Sequence, residues 1–187
     1  MKQFCFIGLG NLPETFSWTY HNIGKEFVLY CSKEYDIPLK KNSYCSFFIL
    51  QQDTFHLTFL FPHTFMNESG KILPFLLKDK LAEKKEDHLI IGYDDLGEDI
   101  FTFKIRTNPD RGERAHNGLR SIFQHSQSLF NAKRPLYAPF GVWNKKEKHP
   151  TPGDYVLSKI PLKEKELFIQ KTFPGALQTL ITFCQTK

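Results

Sequence analysis

Gly8-Leu9-Gly10-Asn11, followed by Thr19-Tyr20-His21-Asn22, is the stretch on which the fold turns. It comes after a short apolar run, residues 4–7. It precedes a helically spaced run, residues 23–35, in which Ile23, Phe27, Cys31 and Tyr35 recur every four positions. A strand that stops in a glycine turn and returns through His-Asn into a helix puts polar side chains at the edge of a sheet. In α/β proteins that edge is where ligands bind. The stretch therefore predicts an α/β fold. It also poses a question to the rest of the chain: which later segments supply partners for Asn11 and His21?

Outward from this stretch, residues 2–9 read as a buried strand and 10–20 as a loop. Residues 44–50 and 54–61 are β-branched and aromatic runs joined by a hairpin turn at 51–53, and Pro62 stops the second. A helical run follows residues 64–70 and reaches about residue 80, with Pro74 expected to kink it or end its first part. Residues 84–87 are a charged connection. Residues 88–93 form a compact strand that leads into Asp94-Asp95-Leu96-Gly97, a second strand-to-loop edge carrying acids. Residues 101–106 alternate, so a strand there turns Thr102, Lys104 and Arg106 outward. Residues 107–115 read as a loop, and His116-Asn117-Gly118-Leu119 opens another helix. Residues 133–142 fit a strand only away from the sheet interior, because of Pro135 and Pro139. Residues 144–152 form a basic loop, 154–160 a short strand, and 162–183 a last helix interrupted at Pro174-Gly175. The expected architecture is a single domain, residues 1–187, with a mixed, mostly parallel twisted sheet and helices on both faces.

Composition sets the bounds. A chain of 187 residues can bury one sizeable core, and 41% hydrophobic residues with 19 phenylalanines argue against disorder. A net charge of +5 and a pI of about 8.9 permit a phosphate-rich partner without requiring one. Cys5, Cys31, Cys45 and Cys184 are widely spaced and lack a C-x-x-C pair; they read as small hydrophobes in a reducing compartment. No segment resembles a signal peptide, and no apolar run approaches the ~18–20 residues of a membrane span. A cytoplasmic protein is expected.

Four places carry polar residues that core packing does not explain: Asn11, His21-Asn22, Asn67, and Asp94 with His116-Asn117. Junctions on one side of an α/β sheet converge, so these residues can share a cleft. The chain has no G-x-S-x-G turn and no Cys beside a His, which argues against a covalent nucleophile. It has neither H-E-x-x-H nor a metal-spaced Cys/His cluster, so no metal is expected, and it has no phosphate-binding P-loop. What remains is a histidine base, an Asp to orient it, and Asn amides to hold a carbonyl. That set suits attack of water on an ester. Plainer readings stand beside it: Asn22, Asn67 and Asn117 as helix N-caps, Asp94 and Asp95 as turn residues, Phe65 and Met66 as core, and His56, His63 and His125 as structural.

Taken together, Gly8-Leu9-Gly10-Asn11, Thr19-Tyr20-His21-Asn22-Ile23-Gly24, residues 62–70 (PHTFMNESG), Tyr93-Asp94-Asp95-Leu96 and residues 116–122 (HNGLRSI) closely resemble the bacterial-type peptidyl-tRNA hydrolase family, over positions 4–123. The resemblance implies a monomeric α/β hydrolase with no cofactor and no metal. Its substrate is peptidyl-tRNA, cleaved at the ester between the peptide and the 3′ ribose. It implies His21 as general base, Asp94 as the acid that orients it, and Asn11 as the residue that distinguishes N-blocked from free aminoacyl groups. Asn67 and Asn117 match substrate-holding positions, Phe16 replaces a usual Tyr, and Phe65 matches an apolar contact near the 3′ end. Lys104 and Arg106 match basic residues used towards tRNA phosphate, and Arg111, Arg114, Lys133 and Arg134 extend that patch. Residues 12–13 and 107–115 depart from the family pattern. Two other readings remain: a non-catalytic RNA-binding protein on the same scaffold, and a general small-molecule esterase, against which the Lys104/Arg106 face argues.

Overall fold

Alternation along the first strand divides the interior in two. Phe4 and Phe6 turn to one face of the sheet, and Cys5 and Ile7 turn to the other. The computed structural model describes residues 1–12, 14–82, 88–107, 116–129, 135–144 and 151–187. In chain order its elements are β1 (Lys2–Gly8), α1 (Ile23–Glu34), β2 (Lys40–Lys41), β3 (Cys45–Gln51), β4 (Phe55–Pro62), α2 (Leu73–Lys78), β5 (Leu89–Asp99), α3 (Asn117–Leu129), β6 (Leu136–Trp143), α4 (Pro152–Leu157), α5 (Leu162–Leu167) and α6 (Phe173–Thr186). The sheet runs β2-β3-β4-β1-β5-β6. β1 lies parallel between β4 and β5, β6 is parallel to β5, and the β3–β4 hairpin and β2 are antiparallel. The mixed, mostly parallel sheet is thus as expected.

Both faces are covered, as near-continuous apolar parallel strands require. On one face Phe27 and Val28 of α1 and Phe173 of α6 pack over Phe4, Phe6, Phe59 and Phe140. Phe27 is the hub: its ring centroid lies between 5.1 Å and 6.4 Å from those of Phe6, Phe59, Phe103, Phe140 and Phe173. On the other face α2 and α3 bring Leu73, Leu76, Leu119 and Ile122 against Cys5, Ile7, Leu60 and Ile91. All four cysteines are free and buried, and burial pushes the Cys45 and Cys184 thiols up to about 12, so they act as packing groups. Among the described residues no helix is long and apolar enough to cross a membrane.

Several local expectations are corrected. β5 does not stop at Tyr93: it continues to Asp99, so Asp94 and Asp95 are strand residues paired with Phe140 and Gly141. Residues 101–106 form isolated bridges, Phe103 to Phe140 and Arg106 to Tyr137, instead of a continuous strand, and Phe101 has a left-handed φ of 67°. Pro74 neither kinks nor ends a helix. It sits in the first turn of the short α2, where its missing N–H is harmless, after a 3₁₀ stretch at Met66–Ile72. Residues 154–160 are not a strand, because Thr151 caps α4 by accepting the Asp154 N–H at 3.3 Å. The last helix is disturbed before Pro174: a π turn at Phe168–Thr172 separates α5 from α6, and the widened turn takes up the clash of the Pro174 ring with the preceding carbonyls. β6 accommodates Pro139 because it is an edge strand. The charged connection 84–87, the loop 108–115, residues 145–150, and with them Arg111, Arg114, Lys133 and Arg134, lie outside the described residues.

Candidate active site

The site forms where β1 ends beside the middle of β5, just past the last β1–β5 pair at Gly8 and Gly92. Backbone contacts alone set their relation to α1. Leu9 N–H donates to the Gly92 carbonyl at 2.8 Å, and Lys25 N–H donates to the Leu9 carbonyl at 3.0 Å. Gly24 makes this approach possible, since a Cβ there would lie 2.4 Å from Gly92 O and 2.8 Å from Leu9 N. The turn carrying His21 is therefore pressed directly onto the strand carrying Asp94.

Asn22 locks the same turn to the end of β1. Its Oδ1 accepts the Asn11 N–H at 2.8 Å and its Nδ2 donates to the Asn11 carbonyl at 3.0 Å. A fully buried side-chain amide thus copies the paired bonds of a strand neighbour. This replaces the N-cap reading of Asn22, which makes no capping bond to α1. Asn11 in turn uses its own Oδ1 to accept the Met66 N–H at 2.9 Å. A backbone N–H can only donate, so the Asn11 amide orientation is fixed, with Nδ2 on its far side.

His21 Nδ1 lies 2.8 Å from Asp94 Oδ1, and His116 Nε2 lies 2.9 Å from the same oxygen. The tautomers follow from the partners. His116 Nδ1 accepts the Leu119 N–H at 3.3 Å, so its proton is on Nε2 and points at Asp94. His21 likewise donates from Nδ1, which leaves Nε2 as the free lone pair of the neutral ring. The His21 side chain is 13% exposed and the Asp94 side chain 3%, so the imidazole reaches solvent while its carboxylate is buried. Burial alone would raise the Asp94 carboxyl, but His21 and His116 outweigh it and hold it well below the usual carboxylate range. For His21, burial pulls downward and the charge and hydrogen bond of Asp94 pull upward; the net effect is upward.

Of the residues expected at the site, the structure brings Asn11, His21 and Asp94 into one connected group. Asn117 opens α3 next to His116, is exposed, and accepts from Arg120 at 3.0 Å. Asn67 is exposed in the 3₁₀ stretch, one residue from the Met66 N–H that Asn11 receives. Phe65 is exposed beside it, and Phe16 is half-buried in a 3₁₀ turn (Glu14–Phe16) upstream of His21. Lys104 and Arg106 do not share a role. Lys104 is 50% exposed and pairs with Glu98 at 2.8 Å. Arg106 turns inward, with Asp95 Oδ2 at 2.5 Å, Glu98 Oε1 at 3.0 Å and the Tyr93 hydroxyl at 3.1 Å. The outward face expected for Arg106 is absent because the expected strand is absent.

The sequence pattern alone assigns His116 no role of its own. The available signal was the repetition of His-Asn at the start of two helices, with one acid, Asp94, between them in the chain. His21, Asp94 and His116 are also the only metal-ligand cluster among the described residues, their donor atoms lying within 4.8 Å of one another. Two imidazoles and a carboxylate make up the three protein ligands of a tetrahedral catalytic site. In the hydrogen-bonded arrangement, however, both facing nitrogens carry protons and share one oxygen, so a metal would have to displace both protons.

An imidazole held by a buried carboxylate, just beyond the end of a central parallel strand, is an arrangement suited to hydrolysis in a protein of the α/β class. The sequence profile described as peptidyl-tRNA hydrolase matches residues 5–187. Among curated relatives, the peptidyl-tRNA hydrolase of Staphylococcus haemolyticus is 31% identical over 97% of this chain and 91% of its own length. That of Acinetobacter baylyi is 32% identical over 89% of this chain and 82% of its own. The crystal structure of peptidyl-tRNA hydrolase from Acinetobacter baumannii superposes with a TM-score of 0.70 at 25% identity, covering 95% of this chain and 93% of that one. The chain belongs to the peptidyl-tRNA hydrolase family.

Proposed function

We infer that the chain hydrolyses the ester of peptidyl-tRNA, releasing a peptide with a free carboxylate and a tRNA with a free 3′-terminal ribose hydroxyl. The observation that carries this reading is the His21–Asp94 pair, in which Nδ1 is taken by Asp94 and the Nε2 lone pair of a partly exposed ring is left for water. Water attacks the ester carbonyl carbon while Nε2 takes its proton. The imidazolium that forms is stabilised by Asp94, and His116 keeps Asp94 anionic and aimed. The tetrahedral oxyanion needs donors, which the amides of Asn11, Asn67 and Asn117 supply; with Asn11 Oδ1 engaged by Met66, the Asn11 group available is the Nδ2 donor. On collapse, Nε2 returns the proton to the departing ribose oxygen.

Asn11 carries the preference for an N-acylated substrate in this reading, and Phe65 and Phe16 contact the 3′ end and the acyl chain. Lys104 meets tRNA phosphate, which gives salt-dependent affinity without base selection and suits an enzyme that accepts many tRNAs. The reaction uses no metal or cofactor. A monomer acting in the cytoplasm, where translation supplies the substrate, completes the reading. The deciding experiment is turnover of N-acetylaminoacyl-tRNA by wild type and by His21→Ala, with sedimentation for the oligomeric state. A chain that binds tRNA without turnover would be the RNA-binding alternative, for which the buried His–Asp–His group has no use.

A further inference from the structure

Lys25 stands four residues after His21, in the first turn of α1, and does not reach for solvent: it is 8% exposed. Its stem runs over Gly10, where an added Cβ would meet Lys25 Cβ at 2.7 Å and Cδ at 3.2 Å. Its ammonium donates to the Asn11 carbonyl at 3.3 Å and lies 5.2 Å from the centroid of the Phe61 ring. Neither partner is an anion. The acids that act on it from a distance are Glu26 and Glu14. Glu26 is buried and already accepts from Trp18 N at 2.8 Å and Ser17 Oγ at 3.2 Å, and Glu14 is exposed. Burial lowers the Lys25 ammonium from its ordinary value and the two acids partly restore it. Among the described residues this cation has no salt bridge, an arrangement that disfavours folding unless the charge serves something else.

We propose that Lys25 is a specificity-determining residue: its ammonium, placed behind Asn11, repels the protonated α-amino group of an unblocked aminoacyl ester, so the site takes N-acylated esters and spares aminoacyl-tRNA. This rests on the reading of ester hydrolysis at His21. The α-nitrogen of an esterified amino acid is two bonds from the carbonyl carbon. When that carbon is within reach of water on His21 Nε2, the nitrogen lies within a few ångströms of the point of attack. The Lys25 ammonium is held on the main-chain carbonyl of Asn11, the residue that the Asn22 clasp ties to the turn carrying His21, and it also bears on the His63 ring. Asn11 acts in the same sense, since it presents the donor Nδ2. A donor and a cation together favour an acyl carbonyl and disfavour an ammonium, which is discrimination by repulsion as well as by attraction.

Like charges several ångströms apart in a partly buried site repel enough for an effect on the order of tenfold. The test measures kcat/KM for three esters of one amino acid on one tRNA: N-acetylaminoacyl, free aminoacyl, and the corresponding α-hydroxyacyl ester, which is unblocked but uncharged. Wild type is expected to prefer the first over the second and to recover much of the rate on the third. Lys25→Met should narrow the preference about tenfold through a gain on the free aminoacyl ester, and Lys25→Arg should keep it. An unaltered ratio in Lys25→Met would overturn the proposal. So would a wild type that rejects the α-hydroxyacyl ester as strongly as the aminoacyl ester, a comparison that needs no variant to fold. A wild type inert on all three esters overturns the hydrolase reading itself, which is a distinguishable result.

Discussion

Replacing Asp94 by Asn keeps the shape of the side chain and removes its charge. Asp94 Oδ1, itself nearly sealed from solvent, accepts hydrogen bonds from His21 at 2.8 Å and His116 at 2.9 Å. When His21 takes the proton from water, its new positive charge is centred roughly 4 Å from the carboxylate. At an effective dielectric of about 20 that pair contributes about 4 kcal/mol to the transition state, or about a thousandfold in rate. A neutral amide retains some dipolar stabilisation, so Asp94→Asn should lower kcat by about 10²–10³-fold. The pH profile should move as well. Asp94 raises the His21 proton affinity against the downward pull of burial; without it only burial remains. The neutral base is the active form, so the rate falls as pH drops through the His21 pKa. In Asp94→Asn that acid limb should therefore lie at lower pH than in wild type, while the plateau is reduced. The assay is single-turnover release of N-acetylaminoacyl groups across pH, with circular dichroism to confirm the fold. An acid limb that stays in place would refute the role assigned to Asp94.

Further predictions concern the surroundings of this pair. His21→Ala should abolish hydrolysis while leaving the thermal midpoint close to wild type, since the ring is at the cleft; near-normal turnover would remove it as the base. His116→Ala should reduce kcat less than Asp94→Asn does, because Asp94 keeps its bond to His21, and equal losses would show that the two imidazoles act as one unit. Lys104→Ala should weaken tRNA binding and reduce the slope of log affinity against log salt by roughly one. Arg106→Gln should leave that slope alone and instead destabilise the protein, by about 3 kcal/mol, because Asp95 and Glu98 lose a largely buried partner in urea-melt measurements. Activity should persist in the presence of a strong chelator; its loss, restored by a divalent ion, would assign a metal to the His21–Asp94–His116 group.

The sheet was legible because its strands are apolar runs punctuated by glycine and proline, and their parallel centre follows from strands that alternate with helices. Asn11 and His21 stand out in the sequence because each is at such a boundary; Asp94 stands out only as an acid after an apolar run, and it lies inside β5, not at its end. What could not be read was which atom faces which. Asn22 looks like an N-cap in sequence, and only the three-dimensional approach of residues eleven apart turns it into a clasp on Asn11. Lys104 and Arg106 share a sequence periodicity, but strand alternation decides orientation only where a strand exists, and Phe101 breaks it with a left-handed φ. The Thr151 cap on α4 outweighed a β-branched stretch that a local pattern cannot distinguish from a strand.

The contact of Gly24 with Gly92 and Leu9 bears on how this protein can vary. Alanine normally favours a helix over glycine by about 1 kcal/mol, yet Gly24→Ala should unfold the protein more easily, since α1 would have to lift from the sheet. The separation of base from acid is thereby gauged by main chain against main chain, with no side chain interposed. The phenylalanines around Phe27 meet about one turn farther along the same sheet-facing side of the helix, so exchanges among them should alter melting while leaving turnover nearly constant. The interior can tolerate such exchanges, while the distance on which the chemistry depends is kept by a place where nothing but hydrogen fits.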